Sequence, residues 1–331
     1  MRERRLLLWL LILLIGIALG CSDPPTTFND SGGGVLDYRP PPVQEGAFVF
    51  DRSRNAMLLI GGRTDAGVAL RVLYQFDGSA WFPLGTLGPA GSITPSVTYD
   101  SVRGAVVLHG GADLAGGPQG DTWEYRNSTW TRRAENAGPG IRVGAAMAWD
   151  PVRREVLLYG GSNDAAGETW AWNGATWTRR ATTGPGPLAF AGMAFDAARN
   201  EMVLYGGSVP GAFGGPSSEH WLWNGSAWRR VSASAPPPRD RHVMVYDARR
   251  QLVVVFGGRG QFGAMGDTWE WDGTTWTRRD VSGPAPRWSA AAAYDPNARD
   301  IVLYGGTNGG PATADIWSFS GSAWVKRLLT P

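Results

Sequence analysis

One pattern recurs six times in this chain, and any fold the chain adopts must accommodate it. Paired glycines close a β-rich run at Gly61-Gly62, Gly110-Gly111, Gly160-Gly161, Gly206-Gly207, Gly257-Gly258 and Gly305-Gly306. The first glycines are 49, 50, 46, 51 and 48 residues apart. An aspartate stands ten residues before each pair: Asp51, Asp100, Asp150, Asp196, Asp247 and Asp295. Two aromatics seven apart follow each pair: Tyr74/Trp81, Trp123/Trp130, Trp170/Trp177, Trp221/Trp228, Trp269/Trp276 and Trp317/Trp324. Units of this length cannot bury their own apolar faces and stack on neighbours instead.

Each unit reads as four short strands, A to D. In the third, A is 145–149, B is 155–159, C is 169–172 and D is 175–179, with Asn173-Gly174 as a two-residue turn at positive φ. Residues 46–327 give 47 residues per unit, enough for four antiparallel strands. Sheets of this size, repeated around an axis, pack on one another and shorten their edges. The 17 tryptophans supply contact area between sheets, while 47 glycines and 23 prolines weigh against long helices. The expected fold is all-β: a six-bladed propeller over residues 46–331, four antiparallel strands per blade. Both terminal units hold all four of their strands. The ring should therefore close without a borrowed strand, on side-chain packing between blades 6 and 1.

The double glycine after a hydrophobic strand, followed by an aromatic and then a tryptophan, resembles the kelch repeat over residues 46–327. That resemblance implies a β-propeller used mostly for binding, with a minority of enzymes. The seven-residue aromatic spacing implies a tighter C–D hairpin than many kelch proteins have. Sialidase propellers carry an Asp-x-Gly-x-x-Trp turn, whereas here the acid abuts glycine, as in Asp272-Gly273. WD repeats end in Trp-Asp, which occurs here only at Trp149-Asp150 and Trp271-Asp272.

Antiparallel order puts the A–B and C–D turns at one end of every blade and the B–C and D–A loops at the other. The first set is constant in length. The second varies, with 12, 12, 9, 14, 11 and 11 residues from the second glycine to the aromatic. Rigid scaffolds place function on variable loops, so the B–C/D–A face is the candidate binding face. The candidate ligand-binding residues are Arg142, Asn163, Arg239, Arg241, His242, Arg259, Arg287 and Trp288, with Phe213 in the longest loop. Arginines beside aromatics and amides suit a carboxylate, a sugar acid or an acidic peptide. The alternative for the recurring arginines is a brace onto backbone carbonyls. The acids two residues before the first aromatic, Asp121, Glu168, Glu219, Asp267 and Asp315, are expected to accept hydrogen bonds from loop amides. The paired arginines after each outer tryptophan, such as Arg179-Arg180, are expected at the solvated ends of outer strands.

Nothing in the chain spells out catalysis. Its three histidines, His109, His220 and His242, occupy non-equivalent positions, which does not suggest a zinc site. No nucleophile elbow, zincin motif or phosphate loop is present. Kelch-type copper-radical oxidases need a cysteine linked to tyrosine, and Cys21 is the only cysteine. We therefore expect no catalytic residue, no metal and no cofactor. The runner-up reading is a carbohydrate-active enzyme with an acid–base site at the channel mouth. Nucleic acid is not an expected partner: net charge is +2, carried by residues 1–20, and only Lys326 is a lysine.

Residues 1–5 are charged and residues 6–19 form an unbroken apolar run ending in Ala18-Leu19-Gly20-Cys21. The run is short for a permanent span, which needs about 20 residues, and suits a secretory signal. It resembles a bacterial lipoprotein signal, in which the cysteine becomes the lipidated first residue. The resemblance implies a lipid anchor at Cys21 in a bacterial cell envelope, at the outer membrane rather than the inner. Without lipidation the protein would be secreted. Residues 21–45, with Pro24-Pro25, Gly32-Gly33-Gly34 and Pro40-Pro41-Pro42, have linker composition. The expected partner is a protein or glycan of the envelope, bound by a monomer. Cys21→Ser should abolish incorporation of labelled palmitate; label retained in the variant would overturn the lipid anchor.

Overall fold

The computed structural model describes residues 38–85, 88–89, 92–113, 115–164, 166–209, 214–232 and 234–328. Cys21 and Phe213 lie outside them. The described chain contains no α-helix and forms six four-stranded antiparallel sheets, each in the order A-B-C-D, arranged as a β-propeller. A further two-stranded sheet sits in the B–C loop of blade 5. In blade 3 the strands are Ala146–Asp150, Glu155–Tyr159, Thr169–Trp172 and Trp177–Ala181.

Burial explains the sequence pattern. Strand B is covered on both faces by neighbouring sheets, so Ala56–Ile60, Ala105–His109 and Glu155–Tyr159 are buried throughout. A strand with two covered faces reads as a continuous apolar run rather than an alternation. Strand D is the outer edge, and Trp177–Ala181 buries no residue fully. The repeated aspartates shape the A–B turns: Asp150 Oδ1 accepts the amides of Val152 at 2.9 Å and Arg153 at 3.0 Å. The C–D turn of blade 3 differs slightly from expectation. Positive φ falls on Gly174 alone, and Asn173 acts through its side chain, accepting the Ala175 and Thr176 amides at 2.9 Å. The two-residue turn at positive φ occurs instead in blade 2, at Asn127 and Ser128 between paired Arg126 and Thr129.

Three devices join blade to blade. On the constant face, arginines of the A–B turns reach the next C–D turn: Arg54 to Ser128 Oγ, Arg153 to the Asn224 carbonyl and Arg249 to the Ser320 carbonyl. The second arginine of an outer pair often joins them, as Arg133 does on the Gly174 carbonyl at 3.1 Å. These arginines therefore tie blades together and are not merely solvated ends. In the outer layer, three strand-D tryptophans donate their indole N–H to a threonine of the preceding blade: Trp177 to Thr122 at 2.8 Å, Trp228 to Thr169 at 2.7 Å and Trp324 to Thr268 at 3.0 Å. In blade 4, His220 takes the threonine's place and accepts from Trp276 at 3.2 Å. Blade 6 has Ile316 there, and the buried Trp81 Nε1 has no partner among the described residues.

The third device explains the glycines. The chain entering each blade lays a carbonyl against the glycine pair of the blade before it. A Cβ on Gly61, Gly110, Gly160, Gly206, Gly257 or Gly305 would lie 2.0–2.6 Å from that oxygen, and all six have positive φ. The second glycine donates its N–H to the same oxygen: Gly62 to Ser92, Gly111 to Arg142, Gly161 to Leu188, Gly207 to Arg239, Gly258 to Arg287 and Gly306 to Val43, all at 2.8–2.9 Å.

The last of these bonds corrects the expected closure. No strand is borrowed, yet the seam between blades 6 and 1 is crossed by backbone hydrogen bonds as well as side chains. Residues 40–45, expected in the linker, act as the segment that enters blade 1. Val43 is 2% exposed, and Tyr304 Oη donates to the Pro40 carbonyl at 2.8 Å. Starting the chain at Gly46 rather than Tyr38 removes several such bonds, each worth about 1 kcal/mol. The shorter chain should melt roughly 10 °C lower; equal melting temperatures in calorimetry would contradict this account of the seam.

Candidate functional site

Around the propeller axis, on the B–C/D–A face, one residue per blade sits sixteen positions before the first glycine: Glu45, Thr94, Gly144, Phe190, Arg241 and Ser289. All six have positive φ, between 51° and 65°. Five backbone hydrogen bonds link them in a row around the axis, from Thr94 through Glu45 to Gly144. Thr94 donates to Glu45 at 2.9 Å, Phe190 to Gly144 at 2.7 Å, Arg241 to Phe190 at 3.0 Å, Ser289 to Arg241 at 2.9 Å and Glu45 to Ser289 at 3.0 Å. Left-handed backbone costs a non-glycine residue about 1 kcal/mol or more. These bonds offset that cost and fix where these side chains stand.

Arg241 is the unusual member. Its guanidinium carbon lies 3.6 Å from the centroid of the Phe190 ring, a cation–π stack. Among the described residues, its one carboxylate contact is Asp240 Oδ1 at 3.5 Å, and that carboxylate is already held by Arg259 through two bonds of 3.1 and 2.7 Å. Nearby Glu45 is held by Arg63 at 2.6 Å. Three guanidiniums thus share two carboxylates. Burial holds Arg241 below the usual arginine range, whereas the hydrogen bond that Arg259 donates to Asp240 holds Arg259 above it.

The other arginines are engaged differently. Arg239 is 0% exposed and chelates Asp267 at 2.8 and 2.9 Å while donating to the Gly257 and Pro237 carbonyls. One blade on, Arg287 repeats this with Asp315 at 2.6 and 3.0 Å and with the Gly305 and Ala285 carbonyls. Arg142 makes a looser version with Glu168 at 3.3 Å. These contacts are those of braces. The recurring acids also accept indole N–H groups two residues on, as Asp315 does from Trp317 at 2.7 Å. Burial pushes Asp315 up, but Arg287 and Trp317 outweigh it and hold its pKa at about 2. Guanidinium and indole donors therefore satisfy these acids where loop amides were expected, although Asp121 does accept the Asn136 amide.

His242 occupies a position that is glycine, proline or alanine in the other blades. Its ring packs beside Tyr205, and a Cβ on Gly192 would lie 2.6 Å from its Nε2. Neither ring nitrogen has a partner among the described residues. Burial, reinforced by Arg239, lowers its pKa to about 3. His109 bonds the Gly140 carbonyl at 3.1 Å, a role that Tyr159, Tyr205 and Tyr304 fill elsewhere. Asn163 is exposed in its B–C loop, and half-buried Trp288 lies over Gly309. Among the described residues, no three His, Cys, Asp or Glu side chains gather as metal ligands would.

The eight candidates therefore do not form one cluster. Arg241 and Arg259 come together through Asp240; Arg142, Arg239 and Arg287 are dispersed in three blades. The sequence reading overlooked Glu45, Phe190 and Asp240. The constant sixteen-residue offset before each glycine pair would have identified the axial row. No protein-family model matches this chain, and no curated protein matches it either.

The buried histidines set a pH dependence. Burial lowers His109 and His220 to about 4 and His242 to about 3, against an unfolded value near 6.5. The unfolded chain therefore takes up more protons below about pH 6.5, and stability present at neutral pH is lost as pH falls. The loss is about 2 kcal/mol per histidine between pH 7 and 5. His109→Tyr should reduce the slope of unfolding free energy against pH by about one third across this range. An unchanged slope in urea titrations would contradict the assignment.

Proposed function

We propose that this chain is a kelch-like propeller, tethered to a bacterial cell envelope through lipidated Cys21, that binds a protein or glycan partner through its B–C/D–A face. The observation that carries the reading is Arg241. A half-buried guanidinium is stacked on Phe190 at the axis and shares the Asp240 carboxylate with Arg259. Such a group is preorganised to receive an anionic partner group, because the fold has already met the cost of ordering it. The opposite face offers less, since its arginines and turn carbonyls are engaged between blades. The reading as a carbohydrate-active enzyme draws no support from Arg239 and His242, because Arg239 is chelated by Asp267 and His242 is buried.

A glycan array and an envelope pull-down, run with residues 22–331, test the reading. Arg241→Ala should keep its melting temperature within a few degrees and lose binding at least tenfold. Arg239→Ala should instead destabilise by about 3–5 kcal/mol, because it strands Asp267. Binding retained in Arg241→Ala, with stability unchanged, would remove the axis from the proposal.

A further inference from the structure

The B–C loop of blade 5 is folded as its own hairpin. Strand Arg259–Gly260 pairs with Gly263–Ala264, leaving only Gln261 and Phe262 at the tip. Gly263 has φ 118°, and a Cβ on Gly260 would lie 3.0 Å from the Met265 sulfur, so the flanking glycines suit both the turn and its packing. The base is fixed twice over. Asp240 and Arg259 exchange backbone hydrogen bonds of 3.0 and 2.8 Å, and the Arg259 guanidinium chelates the buried Asp240 carboxylate. Phe262 is 97% exposed at the tip of this rigid element. The blade 6 loop has the same length but turns on Asn308, Gly309 and Gly310, so loop length does not dictate a phenylalanine.

An exposed phenylalanine forgoes the stabilisation that burying its ring would bring, and a paired hairpin cannot fold it back onto the propeller. The structure points to this hairpin as the docking element for a folded protein partner, with Phe262 filling an apolar pocket and Arg259 and Arg241 facing an acidic rim. The inference rests on the B–C/D–A face being the binding face and goes further by choosing the partner's class. A ring projecting freely on all sides is covered on both faces and its edge inside a concavity, which a folded protein offers, whereas a sugar stacked on it covers one face. At the hairpin base, two guanidiniums meet one carboxylate, leaving a local positive charge that complements an acidic rim.

The test is photocross-linking in envelopes of cells producing the full chain, with benzoylphenylalanine placed in turn at Gln261, Asn163, Asn308 and, on the opposite face, Val152. The expected result is one discrete protein adduct from position 261 and none from 152. Phe262→Ala in the same chain should reduce that adduct at least tenfold, Arg241→Gln should reduce it severalfold, and neither should change the melting temperature. An adduct indifferent to Phe262→Ala overturns the hairpin, as does an adduct that proves to be glycan or lipid. Adducts from 163 or 308 with none from 261 overturn the hairpin while leaving the binding face standing. No adduct from any position on that face above the level at 152 overturns both.

Discussion

The carbonyl that each entering segment lays on the preceding glycine pair is the bond on which the rest of the molecule depends. It recurs at all six junctions, from Ser92 on Gly62 to Val43 on Gly306. It needs glycine twice over: the first position has positive φ, and a side chain there would overlap the oxygen. Once that bond is made, the next residues are delivered to the axis, where the row of bonds from Thr94 through Glu45 to Gly144 forms. Strand A then starts in register beside strand B. The N-terminal segment takes part in the same way as the five internal loops, which lets an open chain close a ring without exchanging a strand.

The two ends of the blades consequently differ in what they leave available. At the constant end, arginines and turn carbonyls satisfy one another between neighbours. At the variable end, backbone hydrogen bonds join all but one pair of neighbouring axial residues among those described, but side chains are left with partial partners, Arg241 above all. A face whose backbone is rigid and whose charges are imperfectly matched can discriminate between ligands at little ordering cost. Blade 5 adds a projecting, braced hairpin to that face. Blades 3, 5 and 6 spend their entering arginines on internal acids instead.

The fold was legible because its signals repeat. Six copies of Gly-Gly, the preceding aspartate and the paired aromatics imposed blade count, strand order and the division into two faces. What stayed hidden came from relations between repeats that composition does not display. Pro40 to Glu45 look like linker, since proline-rich sequence is judged by its own propensity; the Gly306 amide, which bonds the Val43 carbonyl, is what gives them a place in the ring. Arg239 and Arg287 hold the same place in successive repeats and Arg241 stands two residues after the first of them, yet two are clamped braces and one is stacked at the axis. Which role each takes depends on whether an acid lies opposite, a fact of tertiary register. The asparagine–glycine turns were misplaced by one residue because Asn173 satisfies backbone amides with its side chain rather than adopting positive φ itself.

The central claim is that the seam is closed by the same backbone bond as every other junction. Residue-resolved amide exchange of the six second glycines, measured on the intact chain under native conditions, tests it directly. The account predicts that Gly306 exchanges within about tenfold of Gly111, Gly161, Gly207 and Gly258, since equivalent bonds in one cooperative ring open with similar free energies. Gly306 exchanging at the rate of an exposed amide, with the other glycines protected, would contradict it.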